Sequence, residues 1–263
     1  MIKTVCLHNL EYLIAENITA PHCFTTRRGG VSTGIFASLN LGMHRGDSDE
    51  NVAKNRELLA KTMGYDPKKL VMSHQPHSDI VRKVTAKDAA GIDHKAYPES
   101  DGLITNDPGV ALWIFTADCT PILLHDPVTG AVGAVHAGWR GTAAKIAAKA
   151  VAAMEKEFGS RPADIRAAIG PNIGVCCFET DADVPDAMLR AFGNSAKPHI
   201  QPKGQKYYVN LKELNALALR QAGVTQIEIS QACTACQPEL FWSHRITGGN
   251  RGSQGALIVC KEV

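Results

Sequence analysis

Cys119 and His136 are the two residues whose types and spacing best suit chemistry in this sequence of 263 residues. A thiol and an imidazole can act together as nucleophile and base, or both can bind a metal ion. Cys119 stands just before the apolar run from Pro121 to Leu124, and His136 follows the run from Ala131 to Val135. Because Asp-Pro-Val-Thr-Gly between these runs has turn composition, the pattern predicts a β-hairpin that brings both side chains to one edge.

The segment after His136 predicts a helix. The sequence Ala-Gly-Trp-Arg-Gly leads into an alanine-rich pattern, and residues Thr142 to Phe158 carry apolar side chains at helical spacing before Gly159. The pattern therefore predicts one helix over this range. It also places His136 at a strand-to-helix junction, near a helix N-terminus that favours anions.

A third partner for this pair is expected from the loop around Pro76, where His74 and His77 lie. One thiolate and two imidazoles suit zinc, and three protein ligands leave the open position that a catalytic site requires. Zinc would also keep the thiol of Cys119 deprotonated. The residue types leave two alternatives open: a metal-free Cys/His dyad, and a buried cysteine beside an unrelated histidine.

Composition argues against several classes of function. The formal net charge is only +2 and no basic block stands out, so neither nucleic acid nor an anionic membrane is indicated as a partner. No apolar run approaches the roughly 18 residues of a membrane span. The first residues contain Glu11 and Glu16 and lack a signal-peptide pattern, so the eight cysteines are expected to be reduced in a cytoplasmic protein.

Familiar catalytic motifs are absent from the sequence. It contains no Gly-x-Ser-x-Gly elbow, no phosphate loop, no His-Glu-x-x-His and no Gly-x-Gly-x-x-Gly. Cys233-Thr-Ala-Cys236 is a lone C-x-x-C. A zinc knuckle would require a second ligand pair of comparable spacing and none is clean, so we predict a structural thiol pair.

The remaining pattern predicts an α/β fold. Residues from Asp47 to Gly64 form a well-capped amphipathic helix pattern, and the segment from Gly109 to Phe115 reads as a central, apolar strand. Strands and helices alternate irregularly with hairpins, and no linker or repeat divides the chain. We therefore predict a single layered domain over residues 1–263 with a mixed sheet.

Several motifs together resemble the laccase-domain family, which is also called polyphenol oxidase or peptidoglycan editing factor and described as purine nucleoside phosphorylase. They cover essentially the whole chain, and the most specific are A-D-C and H-A-G-W-R-G. The others occur around them in order: F-T-T-R-R-G-G-V-S, S-L-N-L-G, N-V-x-x-N-R, D-G-L-I-T, I-G-P-N-I-G-x-C-C-F-E and C-T-x-C-x-x-E-L-F-W-S-H-R. The resemblance implies an α/β/α layered fold similar to the catalytic domain of cytotoxic necrotising factor.

The resemblance also implies a zinc site made by His77, Cys119 and His136. The first motif departs from the family's Q-V-H-G because Gln75 is followed here by Pro-His-Ser, which leaves His74 as the alternative ligand. The segment from Gly248 to Gly255 departs as well, since the family tends towards an arginine-rich T-G-R there. A substrate role is therefore not carried over to that loop.

The activity implied by the resemblance is zinc-dependent phosphorolysis of adenosine, inosine and methylthioadenosine, with adenosine deamination as a side reaction. The expected partners are a purine nucleoside and phosphate, and the expected state is a monomer. Zinc is preferred to copper as the cofactor. Four residues are candidate phosphate, ribose or polar contacts: Arg28, Asn40, Arg56 and Arg140.

Three other functions compete with phosphorolysis. The first is an amidase that edits peptidoglycan precursors through the same Cys/His/zinc site. The second is a copper-dependent polyphenol oxidase, which is disfavoured because the ten histidines include no His-x-His pair. The third is a non-enzymatic, metal-stabilised binding protein.

Overall fold

The chain alternates short strands with six α-helices over residues 1–92 and 97–261, which are the residues that this computed structural model describes. The strands are β1 Ile2–Leu7, β2 Leu10–Ala15, β3 His22–Thr25, β4 Leu70–Val71, β5 Val81–Lys83, β6 Gly102–Thr105, β7 Ala111–Thr116, β8 Thr120–His125, β9 Val132–Ala137, β10 Arg166–Ile169, β11 Glu179–Thr180, β12 Ile200–Lys203, β13 Lys206–Val209, β14 Gln226–Ile229 and β15 Gln254–Val259. The helices are α1 Asp49–Met63, α2 Trp139–Ala143, α3 Ile146–Phe158, α4 Asp183–Phe192, α5 Leu211–Gln221 and α6 His244–Thr247.

Two six-stranded mixed sheets form the centre of the fold. The first has the order β1-β2-β3-β15-β7-β4, and the second has the order β14-β10-β8-β9-β6-β5. In the first sheet β4 is parallel to β7 while the other pairs are antiparallel; in the second, β5–β6 and β10–β14 are parallel. The predicted α/β class with mixed sheets is confirmed, although the layers contain two large sheets instead of one.

The sheets pack against each other, and helices cover their outer faces. Phe24 and Ile114 of the first sheet share a buried cluster with Leu123 of the second. Helix α1 packs on the first sheet, and helices α3 and α5 pack on the second. Because both faces are covered, central strands such as β8 and β9 are buried along their whole length and read as continuous apolar runs.

The single helix predicted over Thr142 to Phe158 is instead two helices, α2 and α3. Lys145 separates them with a left-handed φ of +57°. The two helices have different packing partners: Trp139 of α2 lies against the cluster formed by α4 and α5, whereas Ile146 of α3 belongs to the core beneath the second sheet. Tertiary packing thus overrides the continuous helical pattern.

The sequence predicts a strand over Tyr207 to Leu211, which corresponds to β13, but not the small antiparallel sheet to which this strand belongs. Its order is β11-β13-β12, and its strands are short and largely exposed, so they carry little apolar periodicity. By contrast, helix α1 ends as predicted at Gly64, whose φ is +70°. Among residues 1–92 and 97–261, no helix has the length and apolar character needed to cross a membrane.

Candidate active site

The hairpin formed by β8 and β9 places Cys119 and His136 at one end, as predicted. His136 is the register partner of Pro121, and Cys119 immediately precedes β8. His136 lies inside its strand, one residue from its end, rather than just after it. A thiol on the incoming turn therefore faces an imidazole on the paired strand.

Asp118 holds the turn that presents Cys119. Its φ is +83°, a left-handed conformation that a non-glycine residue adopts only with support. Its carboxylate accepts hydrogen bonds from Thr234 Oγ1 at 2.5 Å, from the backbone N–H of Arg245 at 2.7 Å and from Ser243 Oγ at 3.1 Å. We did not single out Asp118 from the sequence, although it lies within the A-D-C motif.

His77, Cys119 and His136 converge at this end of the hairpin. Their potential ligand atoms all lie within 4.8 Å of one another. Cys119 Sγ is 3.8 Å from His77 Nε2, and the two imidazole rings are edge to face with centroids 4.9 Å apart. His136 is buried and His77 is exposed, so the cluster is anchored in the core and open on one side.

The buried carboxylate of Asp101 orients both imidazole-bearing segments. Its Oδ1 accepts a hydrogen bond from His136 Nδ1 at 2.7 Å and one from the backbone N–H of His77 at 3.2 Å. Its Oδ2 accepts from the backbone N–H of Ser78 at 2.6 Å and from Ser78 Oγ at 2.7 Å. With the proton held on Nδ1, His136 presents Nε2 towards Cys119; metal-binding histidines usually donate their other ring N–H to a carboxylate in this way.

Ser78 explains why the unusual Gln-Pro-His-Ser sequence is compatible with this site. Its two hydrogen bonds to Asp101 fix the loop beyond His77, whose φ of +66° is left-handed. Before His77, Gln75 Nε2 donates to the carbonyl of Phe115 at 2.8 Å, and Gln75 Oε1 accepts from the N–H of Phe115 at 2.8 Å. The loop is thus fastened on both sides of His77.

The alternative ligand His74 lies apart from this cluster. Its Nδ1 is 3.6 Å from a carboxylate oxygen of Glu99, and both side chains are exposed. Its backbone forms an isolated bridge with the same residue. Of the two histidines beside Pro76, the geometry brings only His77 to Cys119 and His136.

Gly138 makes the close approach of the ligand candidates possible. A Cβ at this position would lie 2.9 Å from His77 Cδ2 and 3.4 Å from Cys119 Sγ. The first distance is below normal van der Waals contact, so any side chain would displace the ring of His77. The glycine after His136 in H-A-G-W therefore leaves room for the site itself.

The cluster stabilises charge separation between Cys119 and His136. Burial alone would raise the pKa of the Cys119 thiol, but His136 and His77 outweigh it and lower that pKa to about 6. Burial alone would lower the pKa of His136, but Cys119 and Asp101 raise it to about 9. In the absence of metal, the favoured state near neutral pH is a thiolate beside an imidazolium.

The cluster opens into a cavity of about 920 Å³. Its lining combines aromatic side chains with cationic ones, and Cys119, His77 and His136 lie on its wall. This volume falls in the usual range of small-molecule sites. The aromatic members of the lining are Tyr97, Phe115, Trp139 and Phe178, and the arginines are Arg45, Arg56, Arg140, Arg245 and Arg251.

The candidate substrate residues occupy different positions. Arg56 and Arg140 line the cavity. The guanidinium of Arg56 is buried and donates to the carbonyls of Leu41 and Ile92 at 2.6–3.1 Å, so most of its donors already serve the fold. Arg140 lies over the ring of Trp139, with its guanidinium carbon 4.2 Å from the ring centroid.

Arg28 and Asn40 lie away from the described cavity lining. Arg28 is half exposed and pairs with Glu11, at 3.1 Å from nitrogen to oxygen. Asn40 is fully buried; its amide donates to Asp47 Oδ2 at 2.9 Å and its oxygen accepts from the N–H of Ser253 at 3.0 Å. Their contacts are those of residues that hold loops together.

Arg251 is a cavity residue that sequence reasoning missed. Burial and the neighbouring charge of Arg45 lower its pKa to about 10. Its Nη1 donates to the carbonyl of Gly252 and to Ser253 Oγ, while its buried Nε has no hydrogen-bond partner among the described residues. The segment from Gly248 to Gly255, which departs from the family pattern, therefore does place an arginine beside the site.

The donor set fits a metal ion with an open coordination position. One thiolate and two imidazoles are borderline-soft ligands, the carboxylate of Asp101 orients the imidazole of His136, and Gly138 leaves space beside the donors. The open side faces the cavity. His77, Cys119 and His136 are therefore candidate ligands of such an ion.

Comparisons with known proteins agree on one family. A family model described as multi-copper polyphenol oxidoreductase laccase matches residues 21–261. Purine nucleoside phosphorylase YlmD of Bacillus subtilis (strain 168) is 41% identical over 244 residues, which cover 91% of this chain and 88% of that protein. The crystal structure of YlmD from Geobacillus stearothermophilus matches with a TM-score of 0.91 and 38% identity, covering 95% of this chain and 96% of that one. The crystal structure of the Bacillus licheniformis hypothetical protein YfiH matches with the same TM-score and identity over 97% of each chain.

Proposed function

Because the chain belongs to the multi-copper polyphenol oxidoreductase laccase family, and its relative YlmD is named a purine nucleoside phosphorylase, we propose that this protein is a zinc-dependent purine nucleoside phosphorylase. Its substrates would be adenosine, inosine and methylthioadenosine, with adenosine deamination as a side reaction. The observation that carries the proposal is the convergence of His77, Cys119 and His136 on a cavity that also contains arginines and aromatic rings.

His77, Cys119 and His136 would hold the zinc ion. We prefer zinc to the multinuclear copper of an oxidase because, among the described residues, no second histidine cluster lies near this site, and three ligands with an open position suit catalytic zinc. When bound, zinc would supply Lewis-acid chemistry at the cavity wall. Asp101 keeps the proton on His136 Nδ1 and so leaves Nε2 available as a ligand.

Two features of the cavity lining support a purine nucleoside and phosphate as substrates. The aromatic side chains, including Phe115 and Trp139, offer flat apolar surfaces against which a purine can stack. Arg45 and Arg251 provide a positive region that suits phosphate, because their guanidinium groups can make charge-assisted hydrogen bonds to its oxygens.

In phosphorolysis, a phosphate oxygen forms a bond to C1′ of the ribose while the bond from C1′ to the purine nitrogen breaks. The products are ribose 1-phosphate and the free base, and the leaving nitrogen gains electron density that a proton or cation must neutralise. The contribution of Arg45 and Arg251 would be to hold phosphate against C1′, since positioning two substrates removes much of the entropic barrier. The aromatic walls would orient the base and exclude water, which would otherwise compete with phosphate.

Product analysis with inosine tests the proposal. Purified protein should release hypoxanthine from inosine in the presence of phosphate and form ribose 1-phosphate in equal amount. Cys119→Ala should abolish this release and reduce the zinc content, whereas Cys6→Ala, at an exposed strand position, should leave both unchanged. Release of hypoxanthine at the same rate without phosphate would contradict phosphorolysis.

The proximity of the Cys119 thiol to the His136 imidazole favours a second candidate, an amidase that edits peptidoglycan precursors. A thiolate with a pKa of about 6 beside an imidazolium is the arrangement of a cysteine nucleophile and its acid partner. A muramoyl-peptide precursor therefore belongs in the same assay. Cleavage of this precursor without any phosphorolysis of nucleosides would replace the first proposal with the second.

A further inference from the structure

Four cysteines form a second cluster outside the candidate active site. Cys176, Cys177, Cys233 and Cys236 come from two segments about 60 residues apart, and their sulfur atoms all lie within 4.8 Å of one another. Cys236 Sγ is 3.5 Å from Cys176 Sγ and 3.3 Å from Cys177 Sγ. The second ligand pair that the lone C-x-x-C lacked in the sequence is thus supplied by the adjacent cysteines of the other segment.

These distances differ from those of disulfides and suit a tetrathiolate metal site. A disulfide joins sulfur atoms at about 2.05 Å, and all four cysteines are free thiols. In a tetrahedral zinc site with bonds of about 2.3 Å, the sulfur atoms stand about 3.8 Å apart. The separations found here, from 3.3 Å up to the 4.8 Å limit, lie around that value.

The backbone around the cysteines is already organised as two facing turns. In the first turn, the N–H groups of Cys177 and Phe178 donate to the carbonyl of Gly174 at 3.0 and 2.9 Å. In the second, the N–H of Gln237 donates to the carbonyl of Cys233 at 3.2 Å. The N–H of Gly174 donates to Cys233 Sγ at 3.1 Å and joins the turns, as N–H groups do around a thiolate.

The charge balance and access of the cluster also suit a metal. Four thiolates around a divalent ion leave a net negative charge, and the buried ammonium of Lys212 lies close enough to Cys233 and Cys176 to offset part of it. Lys212 is held there by the carbonyls of Ser230 and Ala232 at 2.7 and 2.6 Å. Cys176 and Cys236 are exposed, which gives an ion a path to the site.

We propose that Cys176, Cys177, Cys233 and Cys236 bind a structural zinc ion, separate from the metal of the candidate active site. Four protein sulfurs fill the tetrahedral coordination sphere, so no position remains for a substrate. The ion clamps the turn containing Phe178 to the segment that runs on to Arg245, and both residues line the cavity. Arg245 reinforces this clamp by donating to the carbonyls of Cys177 and Glu179 at 3.1 and 2.9 Å.

The test compares the metal content of single variants of the full-length protein, purified without added metal. Cys236→Ser should lose one zinc ion per chain relative to wild type and should unfold at a lower temperature. The matched control is Cys6→Ser, which also replaces an exposed cysteine and should change neither property. Cys119→Ala should lose the ion of the candidate active site and keep the ion of the four cysteines. The two metal proposals can therefore fail independently of each other.

Cobalt provides a second measurement that does not depend on thermal stability. Wild-type protein loaded with Co²⁺ should show the intense thiolate charge-transfer and ligand-field absorption of a tetrathiolate site. This absorption should persist in Cys119→Ala and disappear in Cys236→Ser. Equal zinc content in wild type and Cys236→Ser, or a disulfide among these cysteines in protein purified without reductant, would overturn the proposal.

Discussion

His136 and Asp101 are joined twice, through side chains and through the backbone. His136 Nδ1 donates to Asp101 Oδ1 at 2.7 Å, and the N–H of His136 donates to the carbonyl of Asp101 at 2.7 Å. Both residues are buried, with exposed side-chain fractions of 4% and 0%. The register between β6 and β9 therefore also fixes the orientation of the His136 imidazole, which is a candidate metal ligand.

Asp101→Asn should weaken metal binding while preserving the shape of the site. An amide cannot match the carboxylate as an acceptor for His136 Nδ1, so the imidazole loses both its orientation and part of its basicity. Loss of such an outer-shell carboxylate typically lowers metal affinity about 10- to 100-fold. Zinc affinity measured by competition with a chromophoric chelator checks this expectation.

The control for this change is Asp126→Asn at the other end of the hairpin. Asp126 is also a buried carboxylate and accepts hydrogen bonds from Val128 N–H and Thr129 Oγ1, both at 2.8 Å. Its replacement should destabilise the turn without changing zinc affinity. Equal losses of affinity in the two variants would show that the effect is one of general stability.

The choice between the two histidines beside Pro76 is also testable. His77→Ala should reduce zinc affinity by more than the roughly 100-fold limit expected for an outer-shell change, because it removes a candidate ligand. His74→Ala should leave the affinity unchanged, since its imidazole lies beside Glu99 on the surface. Parallel zinc titrations of the two variants measure both affinities. A large loss in His74→Ala with none in His77→Ala would make His74 the ligand.

Local sequence was sufficient to predict the hairpin and the proximity of Cys119 and His136 at one end of it. The strands β8 and β9 are separated by a short turn, and both are apolar along their length, so their pairing, which brings Cys119 to the same end of the hairpin as His136, follows from neighbouring residues. The same reasoning predicted α1 from its apolar stripe and terminal glycine, which are local signals, although Ser48 at the N-cap makes no side-chain hydrogen bond to the helix. In both cases the interactions that determine the structure lie within one short segment.

Asp101 and Arg251 could not be found in this way, because their positions depend on distant pairings. Asp101 reaches His136 because β6 pairs with β9, whose register joins Gly102 to Val135. Arg251 reaches the cavity through a loop before β15, a strand added to the first sheet late in the chain. Neither pairing has a signature within its own segment, and the same is true of the four-cysteine cluster.

Arg251→Gln should weaken phosphate binding if the proposed phosphorolysis is correct. A charge-assisted hydrogen bond contributes about 1.5–3 kcal/mol, so the KM for phosphate should rise about tenfold or more. The KM for inosine should change much less, because the purine contacts the aromatic walls. Initial rates measured over a range of phosphate concentrations give both constants.

Arg28→Gln is the matched control for the arginine change. It removes the same charge from a half-exposed side chain that pairs with Glu11 and lies away from the cavity lining. Its KM for phosphate should equal that of the wild-type protein. If the KM for phosphate rises as much in Arg28→Gln as in Arg251→Gln, then net charge, and not a contact between Arg251 and phosphate, determines this KM.

The buried imidazole of His125 should make the fold sensitive to acid. Burial, followed by the charge of Arg166, lowers its pKa from 6.5 to about 4, and its Nδ1 is buried with no hydrogen-bond partner in the described part of the chain. Above pH 6.5 His125 is neutral in both the folded and unfolded protein. Between pH 6.5 and 4 the unfolded chain binds a proton that the folded one does not, so the free energy of unfolding falls as the pH is lowered.

Replacing His125 should remove its contribution to the pH dependence of the free energy of unfolding. At pH 5 His125 should lower the free energy of unfolding by about 2 kcal/mol, since each pH unit below 6.5 contributes about 1.4 kcal/mol. In His125→Gln, the difference in the free energy of unfolding between pH 7 and pH 5 should be smaller than in wild type by that amount, as measured by urea denaturation. His8→Gln, at an exposed position, should retain the wild-type difference. An unchanged difference in His125→Gln would show that this imidazole is already protonated in the folded protein at pH 5.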